Sequence, residues 1–293
     1  MSEWRTSVAV VTRNRPDSLR RMLASLRAQD VQPWEVVVSD DSDAPTVDDV
    51  RAACAAFDAR YVGGPRRGLY ANRNAVALAC GGTHVRSMDD DHEFPPGHFR
   101  ACDEAVRSDP TSVWVIGEFS TDVVDRSGPI RCPGQLHPRG FSYWPPDEQD
   151  CWAISDGASI YPRGPFDGGL RFSEAFKFGA AYLEFGSRLR WLGYRIRRLD
   201  GAYVIHHHDL AARSFMDGEM EQSARAFAML CHSFAYQPTI RNRTLTALEL
   251  VWQAVRSPTR GVRSFLRGRR AYLDRLSDPR PFGPRHQPTA EGS

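Results

Sequence analysis

Three consecutive aspartates, Asp89, Asp90 and Asp91, follow the apolar stretch in "THVRSMDDD". Adjacent like charges repel, so such a run reads either as a solvated acidic turn or as a place where a cation sits. In extended backbone, residues i and i+2 point the same way, which puts Asp89 and Asp91 on one face and Asp90 on the other. Hard divalent ions take oxygen ligands, and Mg²⁺ commonly uses one or two carboxylates together with phosphates. A second acidic group, "SDDSD", contains Asp40 and Asp41. Three histidines, His206, His207 and His208, end the stretch "AYVIHHH". By the same alternation His206 and His208 share a face. Imidazole is compatible with Mn²⁺, though it suits softer ions better.

The elements around these groups alternate. "TSVAVVTRN" reads as a buried strand ending in a loop, and "RPDSLRRMLASLRAQ" as a helix with Leu19, Met22, Leu23 and Leu26 at helical spacing. Asp17 stands where a capping residue would sit. "PWEVVVSDDSD" is a second strand, "DDVRAACAAF" a helix, "ARYVGG" a short strand, and "GLYANRNAVALACG" a helix closed by Gly81 and Gly82. "THVRSMDDD" is again a strand. This rhythm implies right-handed βαβ units and a mostly parallel sheet covered by helices. Ligands bind beyond the carboxyl ends of such strands, and three strands deliver Thr12, Asp40-Asp41 and Asp89–Asp91 to that one edge. Further on, "SVWVIGEFSTDVVD" reads as one or two strands and residues 133–152 as a Pro- and Trp-rich loop. A helix carrying Leu183, Leu189 and Leu192, a turn at Gly193 and the strand ending in the histidines complete the pattern.

The chain of 293 residues is 41% hydrophobic and 25% charged, an ordinary globular composition. No apolar run approaches the roughly 20 residues that span a bilayer. The N-terminus has no signal-peptide pattern, so a cytoplasmic location is expected. Six cysteines without a CxxC pair imply reduced, mostly buried thiols. Of 38 basic residues only Lys177 is lysine, a bias that weakens any argument from a single arginine. The net charge of +2 argues against a nucleic-acid binder. Basic charge nevertheless gathers at the end, where residues 241–293 hold eleven arginines against four acids.

The order of parts resembles glycosyltransferase family 2, inverting nucleotide-sugar enzymes of GT-A fold. The matching segments are "VAVVTRNRPDSLRRMLASL", "EVVVSDDSD", "GLYANRNAVALACG", "SMDDD", "DGASIYPR", "LRFSEAF", "LEFGSRLRWLGYRI" and "AYVIHHH", from about residue 6 to residue 215. The resemblance implies an α/β GT-A fold: a Rossmann-like, mostly parallel sheet flanked by helices, with a C-terminal helical extension. Residues 1–240 would form the glycosyltransferase domain, and 241–293 a basic helical extension with a Pro-rich tail. It implies a nucleotide-diphosphate sugar donor, UDP- or dTDP-type, with Mg²⁺ or Mn²⁺ as cofactor. Thr12, Arg13, Asp40 and Asp41 would meet the nucleobase and ribose, and Asp89 and Asp90 would belong to the same donor site. Arg73 would face the phosphates or pair with an aspartate. Asp91 would bind the metal with Asp89, and His206, or His208 after it, would add a ligand, making Asp89-Asp90-Asp91 the family's DXD motif. The acceptor, a glycan, a lipid-linked saccharide or a small natural product, is not named by any residue.

One part of the family pattern is missing. Inverting transfer needs a carboxylate to take the proton of the attacking hydroxyl, and the family's acidic pair aligns with Ala181 and Tyr182. Glu184 is the acid two residues on; Asp156 and Glu174 are the alternatives from neighbouring loops. Glu184 also stands at i,i+4 spacing to Arg188, where it would serve as a structural ion pair. A non-catalytic sugar-nucleotide or glycan-binding protein therefore competes with the enzyme. A sugar-phosphate nucleotidyltransferase would carry a glycine-rich phosphate loop after the first strand, and "TRNRPDS" has no glycine. The segment "TALELVWQAVRSPTRGVRSFLRGRRAYLDRL" admits two readings. It is either a basic amphipathic surface for peripheral contact with an anionic membrane, at its inner face, or a helix packed on the domain with arginines outward.

Overall fold

The computed structural model describes residues 4–121, 135–143, 151–207 and 217–278. Strand β1, Thr6–Thr12, is buried on both sides, as a central strand of β-branched and apolar residues must be. Its alternate residues serve two different cores. Val8 and Val10 pack with α1 (Pro16–Arg27), α2 (Ala44–Ala56) and α4 (His98–Ser108). Ala9 and Val11 join a core with α3 (Leu69–Ala79) and the later helices α6 (Ala181–Trp191) and α7 (Gly218–Leu230).

The remaining strands are β2 (Glu35–Asp40), β3 (Arg60–Gly63), β4 (His84–Asp89), β5 (His92–Glu93), β6 (Val113–Ser120), β7 (Gln135–His137), β8 (Phe141–Tyr143), β9 (Ser159–Pro162) and β10 (Ile196–His206). Seven of them join β1 in one sheet of order β3-β2-β1-β4-β9-β6-β10-β5, and β7 pairs with β8 separately. The pairs β1–β2, β2–β3, β1–β4 and β6–β10 are parallel, in keeping with the α/β expectation. Two departures from this parallel pattern have no signature in the sequence. Strand β9 runs antiparallel between β4 and β6, and the two-residue β5 lies antiparallel on β10. Both are too short for an alternation pattern to register.

Helix α1 starts with Pro16 at its first position, and Asp17 lies inside the first turn instead of capping it. Proline is preorganised for that place, and an acid in the first turn complements the helix dipole. The five cysteines among the described residues are free and buried, and Cys132 lies outside those residues. After the short helix α5 (Gly164–Asp167) and α6, helix α7 runs into a wider π-helical turn, Cys231–Tyr236. Then come α8 (Ile240–Arg256) and α9 (Pro258–Ser277). Helix α9 packs on α7 through Ser264 and Gly268, while Gly261 at its start lies against Gln253 and Ala254 of α8. A Cβ on Gly268 would fall 2.8 Å from the Ala226 methyl, so that contact requires glycine. No helix of the described residues is long and apolar enough to cross a membrane.

Phe185 is fully buried and joins α6 to the loop before it, stacking on Phe172 at 4.0 Å and meeting Tyr161 edge-on at 6.0 Å. Phe185→Ala should lower unfolding free energy by about 3–5 kcal/mol, read from urea denaturation followed by circular dichroism.

Candidate nucleotide and metal site

Strands β2, β1 and β4 are neighbours and in register, Thr12 opposite Asp40 and Val11 opposite Asp89. Their carboxyl ends therefore finish at one edge. A cleft of about 700 Å³ opens there, lined among others by Arg15, Asp41, Asp89, Asp91, Asp156 and His206.

The three aspartates separate into different roles. Asp90 is fully buried and points away from the cleft. It accepts a hydrogen bond from Thr12 Oγ1 at 2.7 Å and pairs with Arg15 at 2.5 Å. Burial pushes its carboxyl up, and Arg15 pulls the other way. Arg15 reaches Asp91 as well, at 2.7 Å, and so bridges the two acids. Burial works against ionisation of Asp91, yet the hydrogen bond from His206 and the positive charge of Arg15 keep it below the usual carboxylate range. Asp89 turns to Arg73, 2.6 Å away.

His206 ends β10, and β5 sets His92 directly opposite it. Their rings meet edge-to-face with centroids 4.5 Å apart. The ligand atoms of Asp91, His92 and His206 all lie within 4.8 Å of one another. His206 Nε2 is 3.5 Å from Asp91, and Nδ1 is 3.2 Å from Glu118. Although burial opposes protonation, those two acids raise the His206 imidazole to about 10. His92 is 1% exposed, and neither of its ring nitrogens has a hydrogen-bond partner among the described residues. Burial holds it below its ordinary value, as a neutral ring with a lone pair to offer. A buried imidazole with no partner, next to a carboxylate and a second imidazole, fits a divalent ion. Two nitrogens in the set suit Mn²⁺ better than Mg²⁺. Glu118 holds the far side of His206, as partners of ligating histidines do.

The other sequence-derived residues are distributed unevenly. Asp41 lines the cleft and accepts from the Arg66 N–H at 2.8 Å, and burial raises its carboxyl. A Cβ on Gly64 would fall 2.2 Å from Asp41 Oδ1, so glycine lets that loop close on the acid. Arg13 lines the cleft beside Asp43, 3.6 Å away, whereas Asp40 is buried outside it and holds the Ser42 N–H at 2.8 Å. Thr12 lines the cleft with its hydroxyl committed to Asp90. Arg73 is buried among Asp89, Asp156 and Ser87. His208 lies outside the described residues. Arg15, His92, Glu118, Asn72, Lys177, Asp217 and Glu221 at or beside the cleft were missed. Only His92 left a signal, standing immediately after the aspartates.

Among the candidate bases, Glu184 does not line the cleft. It is 0% exposed and accepts a hydrogen bond from Tyr236 at 2.6 Å. Arg188 and Arg275 stand 3.3 and 3.5 Å from the same oxygen. This is the i,i+4 ion pair, enlarged by a third helix. Glu174 pairs with Arg67 at 3.0 Å. Asp156 does line the cleft, 3.4 Å from Arg73, with burial raising its carboxyl.

Two outcomes are expected. Glu184→Ala should cost about 3–5 kcal/mol of stability in urea unfolding by leaving the buried Arg188 and the half-buried Arg275 without their acid. Calorimetric titration of the metal-free protein should give tighter binding of Mn²⁺ than of Mg²⁺, with His92→Ala narrowing the difference.

No curated protein sequence matches the chain. The crystal structure of GalNAc-T7 with UDP, GalNAc and Mn²⁺ superposes with a TM-score of 0.65 at 16% identity, covering 80% of this chain and 49% of that one. This chain thus spans about half the length of that relative. Residues 1–349 of S. aureus TarS in complex with UDP-GlcNAc superpose at 0.62 and 19% identity, covering 93% of this chain and 79% of that one. At these identities the likeness is one of fold, the GT-A architecture anticipated from the order of segments. Residues 7–169 match the family model described as glycosyl transferase family 2, and the chain belongs to that family.

Proposed function

We propose that the protein transfers a sugar from a nucleotide-diphosphate donor, UDP- or dTDP-type, to an acceptor hydroxyl with inversion, using a divalent ion. The observation that carries this reading is the meeting of Asp91, His92 and His206 beside Asp89 in a cleft that also presents Asp41 and cationic side chains. Solved relatives of the same fold contain UDP or UDP-GlcNAc, and one of them Mn²⁺.

The roles follow from position. Asp41, held by the Arg66 N–H, is the acceptor for a nucleobase N–H. Arg13, Arg66 and Lys177 line the cleft where a diphosphate needs positive charge. Asp91, His92 and His206 would hold the ion, with Asp89 next to them. When bound, the ion offsets the negative charge that grows on the departing diphosphate. Asp156 takes the proton of the acceptor hydroxyl, since it is the base candidate that faces the cleft. Arg73 keeps Asp156 and Asp89 apart in charge and fixed in place.

A second reading, binding without transfer, rests on Ala181 and Tyr182 in place of the acidic pair and on the burial of Glu184. Calorimetric titration of UDP, dTDP and GDP, with and without Mn²⁺, tests the donor site. One nucleotide should bind in a metal-dependent manner, with affinity at least about tenfold weaker in Asp91→Ala. Binding without metal dependence, or none, counts against the proposal. In an acceptor screen with the matching sugar nucleotide, Asp156→Asn should lower kcat by about 10²- to 10⁴-fold at unchanged nucleotide affinity. Wild-type binding with no turnover on any acceptor would favour the second reading.

A further inference from the structure

Helix α8 is built inside out. Its buried residues are Asn242, Thr246, Glu249 and Gln253, one polar stripe at helical spacing. All four are hydrogen-bonded. Thr246 donates to the Pro138 carbonyl at 2.7 Å and meets Ser233 at 2.7 Å. Glu249 pairs with Arg139 at 2.6 Å, Gln253 donates to Glu249 at 3.0 Å, and Asn242 donates to the Gln237 carbonyl at 2.9 Å. The apolar side chains face out instead, with Leu248 61%, Val251 61%, Trp252 49% and Val255 75% exposed. Rotating the helix to bury them would take Thr246 from Pro138 and Ser233, Glu249 from Arg139 and Gln253 from Gln222, so the outward apolar face is fixed by the polar one. Helix α9 adds exposed Val262 and Leu266, because its small residues face α7 and α8.

Exposed arginines accompany these apolar residues on both helices. Arg263, Arg267, Arg269 and Arg270 are exposed on α9, where Asp274 is the exposed acid. On α8 the single acid, Glu249, is turned inward, while Arg256 is exposed and lies over the Trp252 ring at 5.0 Å. We infer that this two-helix face docks on an anionic lipid bilayer. Apolar side chains including tryptophan, flanked by arginine along the whole length of a helix, are the pattern that seats in a headgroup layer. A second copy of the chain is disfavoured, since a two-fold contact sets the same patch against itself and brings arginine to arginine. A folded acidic partner would have to match a pattern spread over two helices, whereas a fluid anionic surface adapts to it.

Vesicle flotation of the full chain tests this independently of any sugar-nucleotide activity. Phosphatidylcholine vesicles with phosphatidylglycerol should retain the protein, phosphatidylcholine alone should not, and added salt should release it. Arg263→Ser, Arg269→Ser and Arg270→Ser should each weaken binding roughly fivefold. The double substitution Val251→Ser with Trp252→Ser should abolish it, with circular dichroism unchanged. Failure of the folded wild type to float with anionic vesicles overturns the inference, as does binding untouched by either set of substitutions. Self-association in sedimentation velocity that the double substitution abolishes would assign the face to a second copy instead.

Discussion

The site depends on neutralising acids that the sheet itself forces together. Parallel strands in register end at one edge, and here those ends bring Asp89, Asp90, Asp91 and, from the loop before β9, Asp156 into one small volume. At short range and low dielectric such a group is costly unless each charge has a partner. Two arginines supply most of the compensation. Arg15 bridges Asp90 and Asp91, and the buried Arg73 bridges Asp89 and Asp156. His206, raised by Asp91 and Glu118, adds a third positive group that an arriving divalent ion would replace. The cleft keeps its shape because these ion pairs pin the strand ends.

Much of this architecture is written in local pattern. The apolar runs of β1, β2 and β4, the amphipathic α1 and the glycine turn after α6 gave the parallel core and the edge where Thr12, Asp41 and Asp89 meet. Asp90 is turned inward and Asp89 and Asp91 line the cleft, the division that alternation suggests, although β4 ends at Asp89 and it is the turn at Asp90 and Asp91 that produces it. What escaped was set by tertiary pairing. His92 reaches His206 only because a two-residue strand lies antiparallel on β10, and no sequence period encodes a pairing that short. Arg15 sits in a loop among many arginines, so its position at the junction of two acids left no trace. Glu184 shows the opposite case. Its spacing to Arg188 reads as an ion pair, and the structure adds Tyr236 and Arg275 from elements far along the chain.

The helical end of the chain has a different logic. Thr246 and Glu249 are satisfied by Pro138, Ser233 and Arg139, so α8 is held by hydrogen bonds where most helices are held by apolar burial. Its hydrophobic residues stay outside as a result. Sequence periodicity identifies such a helix as amphipathic but does not say which face is inward, because that depends on what the neighbouring turn and β7–β8 connection offer. Membrane docking and sugar transfer are separable claims about separate surfaces, and either can stand without the other.

In the proposed reaction Asp91, His92 and His206 would hold a divalent ion next to a nucleotide diphosphate. Diffraction from crystals grown with Mn²⁺ and UDP, recorded at the manganese edge, tests it most directly. One anomalous peak is expected between the Asp91 carboxylate and the His92 and His206 rings, with the diphosphate against it and the uracil ring toward Asp41. A peak elsewhere, or uridine bound in the cleft with no ion at those three residues, would contradict it.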